Sequence, residues 1–79
     1  MRIGILGHSG SLGKILLNKL NNPKYELIGI SRDEHKQNQI KQDNLTQYLG
    51  DIRDLNSLYR LGKCSIIFNL AALKCIDIL

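Results

Sequence analysis

The chain has 79 residues, of which 43% are hydrophobic and 23% are charged, and its net charge at pH 7 is +4. The length suits one small domain or part of a larger one, and the composition is that of a globular protein. The lysines and arginines are scattered and aromatic residues make up only 5%, so neither a nucleic-acid interface nor a membrane surface is an expected partner.

The first predicted element is an apolar strand at the N-terminus. Arg2–Leu6 is nearly all apolar, as strands buried on both faces of a parallel sheet are. Apolar residues then recur with helical spacing from Leu12 to Leu20. The run Asn21-Asn22-Pro23 ends that predicted helix.

A second strand, a polar helix and a third strand follow in the sequence. Tyr25–Ile30 is the predicted second strand, and Asp33 can cap a short helix that runs to about Lys41. Thr46–Leu49 reads as a weaker third strand that ends at Gly50-Asp51.

A third helix and a fourth strand complete the pattern. Asp54 can cap this helix, and Gly62 stands where a helix-ending glycine is expected. The apolar residues of the helix are predicted to share one face: Leu55, Leu58 and Leu61. Cys64–Leu70 is the predicted fourth strand.

The loop between the first strand and the first helix carries three regularly spaced glycines. Gly7, Gly10 and Gly13 form a G-x-x-G-x-x-G pattern, which differs from the G-x-G-x-x-G of many dehydrogenases. Such glycines let the backbone turn tightly and approach a pyrophosphate, while the helix N-terminus offers N–H groups and a positive dipole end. The loop predicts nucleotide binding, and a tight turn with close helix packing is the alternative.

Three other residues of this loop carry hydroxyl or imidazole groups. Ser9 and Ser11 could donate hydrogen bonds to phosphates, or could cap the helix. Leu12 accompanies them in the predicted cofactor loop. His8 is predicted to be an exposed loop residue rather than a catalytic group.

Alternating strands and helices with this loop predict an α/β fold with a Rossmann-type parallel sheet in the order 3-2-1-4. A doubly wound dinucleotide fold has two halves, and this pattern ends after the first. We therefore expect residues 1–79 to be the N-terminal portion of an NAD(P)-binding Rossmann domain. The second half and the substrate domain are expected to be absent, because the chain is either a fragment or a decayed reading frame.

The end of the second strand indicates which dinucleotide is bound. NAD sites place an acidic residue there for the ribose hydroxyls, whereas NADP sites use arginine for the 2′-phosphate. This strand is followed by Ser31-Arg32, and a guanidinium matches a phosphate well. Asp33 lies two residues past the strand, where it fits a helix cap. The sequence therefore predicts NADP, with NAD as the alternative.

The ends of the third and fourth strands add further candidate residues. Asp51 could accept a hydrogen bond from the adenine amino group while Ile52 packs on the ring, or the two could be a turn aspartate and a core isoleucine. At the end of the fourth strand, Leu70, Ala71 and Ala72 are small or apolar residues that would let ribose and nicotinamide approach, unless they serve only close packing.

The cysteines and a tyrosine–lysine pair are not assigned to any site. Cys64 and Cys75 form no metal or redox motif, so no metal site is expected and a reduced cytoplasmic setting is favoured. Tyr59 and Lys63 match a Tyr-x-x-x-Lys pattern, but they precede the fourth strand and should lie far from the cofactor. No catalytic residue is expected within residues 1–79.

Four motifs together resemble extended short-chain dehydrogenases, and more narrowly the UDP-N-acetylglucosamine 4,6-dehydratases of capsule and flagellin-sugar biosynthesis. They lie at the glycine loop, at the ends of the next two strands and near the C-terminus: Gly7-x-x-Gly10-Ser11-Leu12-Gly13-Lys14, Ser31-Arg32-Asp33-Glu34-x-Lys36-Gln37, Gly50-Asp51-Ile52-Arg53-Asp54 and Ala71-Ala72-Leu73-Lys74. Leu6, His8 and Cys75 depart from the usual Thr, Gly and His of that family.

This resemblance implies a tightly held NADP that takes hydride from sugar C4 and returns it at C6 after water is lost across C5–C6. It adds Lys74 to Ala71 and Ala72 at the sugar end of the cofactor. It also implies a UDP-sugar as the partner of the full-length protein, and homo-oligomers are possible. A related UDP-sugar epimerase or reductase, a non-catalytic NAD(P)-binding module and an inactive remnant are the alternatives.

Overall fold

The structure, a computed structural model, describes residues 1–71, in which strands and helices alternate along the chain. The strands are β1 (Arg2–Leu6), β2 (Glu26–Ser31), β3 (Leu45–Leu49) and β4 (Ile66–Asn69). The helices are α1 (Ser11–Lys19), α2 (Glu34–Asn38) and α3 (Leu55–Leu58), and a short 3-10 helix, η1 (Tyr59–Leu61), follows α3 directly.

The strands form one parallel sheet in the order β3-β2-β1-β4. Ile5 of β1 lies beside Gly29 of β2, and Gly29 lies beside Gln47 of β3. Parallel neighbours require a crossover connection, and the helices supply it. The predicted α/β fold and strand order are confirmed.

The two central strands, β1 and β2, are covered on both faces, since successive side chains of a strand point to opposite sides. One buried cluster joins the sheet to α1: Ile3, Ile5, Leu17 and Leu27. The cluster on the other face joins the sheet to η1: Leu6, Ile28, Ile30 and Leu61. Leu61 packs directly over Gly4, where an added Cβ would stand 2.9 Å from Leu61 Cδ2.

The third helix differs from its prediction. It makes one α-helical turn and then tightens into η1, so its three leucines do not share one buried face. Leu58 and Leu61 pack against the sheet, whereas the Leu55 side chain is 71% exposed. Gly62 ends this segment with φ +64°, as the sequence predicts.

Two other element boundaries also shift. The helix α2 ends at Asn38 rather than near Lys41, and β4 begins at Ile66, so Cys64 precedes the strand. Cys64 is half-buried, and its thiol donates to the carbonyl oxygen of Leu61 at 3.3 Å. No helix in residues 1–71 is long and apolar enough to span a membrane.

Candidate functional site

A cleft of about 990 Å³ lies at the carboxyl edge of the sheet, where the loops after the strands converge. This is the edge at which open α/β sheets bind ligands. All the predicted cofactor-binding residues within 1–71 line this cleft: Gly7, Ser9, Gly10, Ser11, Leu12, Gly13, Ser31, Arg32, Asp51, Ile52, Leu70 and Ala71. Ala72 and Lys74 lie outside the described residues.

Two of the loop glycines are explained by the protein's own geometry. Gly7 has φ +80°, a conformation that L side chains rarely adopt. Its N–H donates to the carbonyl oxygen of Ile30 at 2.8 Å, which ties the loop to β2. Gly13 lies in α1 against the backbone of His8, and a Cβ there would overlap the His8 carbonyl oxygen.

Gly10 differs from the other two loop glycines. Its φ of −78° and ψ of −179° are open to any residue. An added Cβ would meet nothing nearer than the Gly7 carbonyl oxygen, at 3.7 Å. The fold therefore does not require glycine at this position, which lines the cleft. A ligand that approaches the backbone closely would require it.

The N-terminus of α1 is open toward the same cleft. Its N-cap is Gly10, which makes no side-chain capping hydrogen bond, and its first turn has no acidic residue. Neither Ser9 nor Ser11 caps the helix, so that alternative is wrong. Unpartnered amide groups and the positive dipole end favour an anion here.

A charged network crosses the cleft from the end of β2 to the end of β3. Arg32 Nη1 lies 3.9 Å from Asp51 Oδ2, and Arg53 Nη2 lies 2.7 Å from the same oxygen. The pKa of Asp51 is lowered to about 2, first because the Arg53 guanidinium and backbone N–H donate to its carboxylate, and also because Arg32 is near. Asp51 is therefore an anion held between two guanidinium groups.

Asp33 acts as the predicted cap of α2. Its Oδ1 accepts from the Lys36 backbone N–H at 3.0 Å. The carboxylate lies at the cleft wall, but this hydrogen bond occupies one of its oxygens. The side chain of Arg32, by contrast, is 71% exposed, and it carries a guanidinium rather than the carboxylate that a ribose hydroxyl would need as an acceptor.

The prediction that His8 is exposed is wrong. The side chain is fully buried, and its Nε2 lies 2.7 Å from Gln47 Oε1 on β3. The ring occupies the space above Gly29, where an added Cβ would be 2.5 Å from His8 Cγ. Nδ1 is buried and has no hydrogen-bond partner within residues 1–71, and burial lowers the pKa of the imidazole.

Several residues that line the cleft were not among the predicted cofactor-binding residues: Asp33, Glu34, Lys36, Gly50 and Arg53. Each one lies within a few residues of a predicted site residue after β2 or β3, so the position of the strand ends was the available signal. Tyr59 and Lys63 are not among the residues that line the cleft, and Tyr59 is 78% exposed. Their exclusion from the site therefore agrees with the structure.

Comparisons with known proteins agree with this architecture. A profile of the NAD dependent epimerase/dehydratase family matches residues 3–78. No curated protein matches the chain. The crystal structure of the oxidoreductase YlbE from Lactococcus lactis matches with a TM-score of 0.73 at 24% identity, over 89% of this chain and 32% of that chain. That likeness is one of fold, and the chain spans about a third of the length of that protein.

Proposed function

The chain belongs to the NAD-dependent epimerase/dehydratase family, and we propose that its cleft binds NADP for a nucleotide-sugar 4,6-dehydratase that acts on UDP-N-acetylglucosamine. Family membership implies a nicotinamide cofactor. The choice of NADP over NAD and the sugar substrate are the proposal. The observation that carries it is that Ser31 and Arg32 share one cleft with the glycine loop.

In this proposal the pyrophosphate lies against Gly10 and the first turn of α1. The missing side chain at Gly10 leaves room for close approach to the backbone. The uncapped N-terminus of α1 offers N–H donors and the positive dipole end. The residues present therefore fit the pyrophosphate of a dinucleotide.

Ser31 and Arg32 hold the 2′-phosphate. A phosphate monoester carries a charge of about −1.5 to −2 near pH 7, and a planar guanidinium can bind it through two parallel hydrogen bonds. Arg32 is mostly exposed, and its ion pair with Asp51 is long at 3.9 Å. Because an exposed pair of this kind contributes little to stability, it can be exchanged for a phosphate.

The remaining cleft residues complete the cofactor site. Asp51 and Ile52 border the adenine end, and Leu70 and Ala71 border the end after β4. A bound NADP would supply the acceptor for hydride from the sugar and the donor for its return. The residues of this segment bind and orient the cofactor, and the proposal assigns them no proton transfer to the sugar.

Arginine replacement tests the choice of cofactor. Because a hydrogen bond to a charged group contributes about 1.5–3 kcal/mol, Arg32→Ala should weaken NADP about tenfold or more while NAD binding changes less than about twofold. Isothermal titration calorimetry measures both affinities. Arg60→Ala is the matched control, since Arg60 lies on η1 against the Tyr48 ring and outside the cleft. Equal losses for both dinucleotides would overturn NADP, and absence of any dinucleotide binding would overturn cofactor binding itself.

A pair of hybrid enzymes tests which enzyme class the segment serves. Residues 1–71 would replace the corresponding segment of a UDP-N-acetylglucosamine 4,6-dehydratase in one hybrid and of a UDP-sugar epimerase in the other. Support would be formation of the 4-keto-6-deoxy product by the first hybrid together with loss of epimerase activity in the second. A first hybrid that binds NADP but forms no product would contradict the dehydratase assignment. The 79-residue chain itself should show no turnover of this sugar.

A further inference from the structure

Gln37 is a buried polar residue of α2 that the proposed cofactor contacts do not use. The residue is 7% exposed. Its Nε2 lies 2.8 Å from Ser31 Oγ, 3.0 Å from the Tyr48 carbonyl oxygen and 3.3 Å from the Ser31 carbonyl oxygen. It therefore connects α2 to the ends of β2 and β3, directly behind the cleft wall.

The orientation of this amide follows from its partners. Backbone carbonyl oxygens only accept hydrogen bonds, so the Gln37 atom that faces two of them must be the NH₂ group and not the amide oxygen. The NH₂ group has two protons, so one is donated to the Tyr48 carbonyl oxygen and the other is shared between Ser31 Oγ and the more distant Ser31 carbonyl oxygen.

Ser31 Oγ also forms a hydrogen bond with a second side chain. Ser9 Oγ lies 3.0 Å from it, either hydroxyl of this pair can donate, and both serines are buried. A serine hydroxyl has two acceptor positions and one proton to donate, so Gln37 fills one acceptor position and Ser9 fills the other when Ser9 is the donor. Ser31 lines the cleft. In that arrangement the Ser31 proton is left to donate into the cleft.

We infer that Gln37 is a positioning residue for cofactor choice, acting through Ser31; this inference rests on the proposed NADP site. Gln37 can only donate to Ser31 Oγ, so the Ser31 proton is directed to Ser9 or to the cleft and never to Gln37. A 2′-phosphate is an acceptor and draws that proton, while Ser9 donates to Ser31 in turn. The 2′-hydroxyl of NAD is uncharged and accepts a weaker hydrogen bond. Gln37 thus favours the phosphate without touching the cofactor.

The test compares NADP and NAD affinities in Gln37→Leu, which keeps the approximate size but removes the donor. NADP affinity should fall about fivefold to tenfold, and NAD affinity should stay within about twofold. Gln42→Leu is the matched control, because Gln42 also donates to a backbone carbonyl, that of Leu17, but lies away from the cleft. It should leave the ratio of the two affinities unchanged.

A double-mutant cycle separates positioning from a general structural role. In a Ser31→Ala background, Gln37→Leu should cause no further selective loss of NADP, because the residue through which it acts is gone. Equal losses of NADP and NAD in Gln37→Leu, or the same selective loss with Ser31 absent, would overturn the inference. A wild-type protein that binds neither dinucleotide would instead overturn the proposed function.

Gln37→Glu keeps the experiment decisive if Gln37→Leu does not fold. The carboxylate has the same length but accepts hydrogen bonds, so it would draw the Ser31 proton away from the cleft. NADP affinity should again fall selectively at pH 8. An unchanged NADP to NAD ratio in a folded Gln37→Glu variant would contradict the role assigned to Gln37.

Discussion

The two sides of the β1–α1 loop are built in opposite ways. On the packed side, formed by His8, Gly13 and Gly29, the backbone and the imidazole ring of His8 leave no room for one added methyl group. On the open side, formed by Gly10 and Ser11, backbone geometry is ordinary and the space in front is the cleft. The three glycines of the motif are therefore explained differently. Gly7 is required by its positive φ and Gly13 by close packing, whereas the described fold itself does not require glycine at position 10.

Gly13→Ala should have the largest effect and acts on the packed side. A Cβ at Gly13 would overlap the His8 backbone, and backbone cannot rotate away as a side chain can. We expect the free energy of unfolding to fall by about 3 kcal/mol, the upper range for overpacking. Urea denaturation followed by circular dichroism measures it. A loss below about 1 kcal/mol would show that the packed side is looser than described.

Gly10→Ala should separate the two sides, because its effect is on binding. The added methyl group meets no protein atom nearer than 3.7 Å, so stability should change by less than about 1 kcal/mol, which includes the weaker N-cap. Affinity for NADP and for NAD should fall about tenfold, since both share the pyrophosphate. Calorimetric titration checks this, and full retention of binding by a folded variant would remove the pyrophosphate from this position.

The pH dependence of stability should show the smallest effect. Burial lowers the pKa of His8 in the folded protein from 6.5, so the unfolded chain takes up protons first as the pH falls. The contribution of His8 to stability is complete above about pH 6.5 and is lost as the pH falls through the lowered folded value.

Unfolding measured between pH 7.5 and pH 5 tests this assignment. The wild-type protein should lose stability over that range, and His8→Asn should lose less. The control is His35→Asn, since His35 is an exposed residue of α2. If His8→Asn and the wild type followed parallel pH curves, the imidazole would not be the titrating group.

Local sequence signals predicted the fold and most of the residues that line the cleft. The strand–helix alternation and the Asp33 cap each depend on a few neighbouring residues, and the structure agrees with both. Because parallel strands bring their carboxyl ends to one edge, the sequence order alone was enough to gather Arg32 and Asp51 in one cleft.

The residues that the sequence misplaced or did not assign to the site depend on distant contacts. His8 is buried because Gly29 leaves space for its ring and Gln47, 39 residues away, provides a hydrogen-bond partner. Gln37 acquires its contacts only when β3 is paired beside β2. Neither pairing of side chains is marked by a local pattern, so composition and periodicity could not indicate them.

The most direct test of the account compares two nucleotides that differ only in the 2′-phosphate: 2′,5′-ADP and 5′-AMP. Each would be titrated into isotope-labelled protein and followed by amide chemical shifts. The account predicts tighter binding of 2′,5′-ADP, with the largest additional shifts at Ser31 and Arg32. Equal affinities, or shifts centred on Tyr59 and Lys63, would contradict a 2′-phosphate site in this cleft.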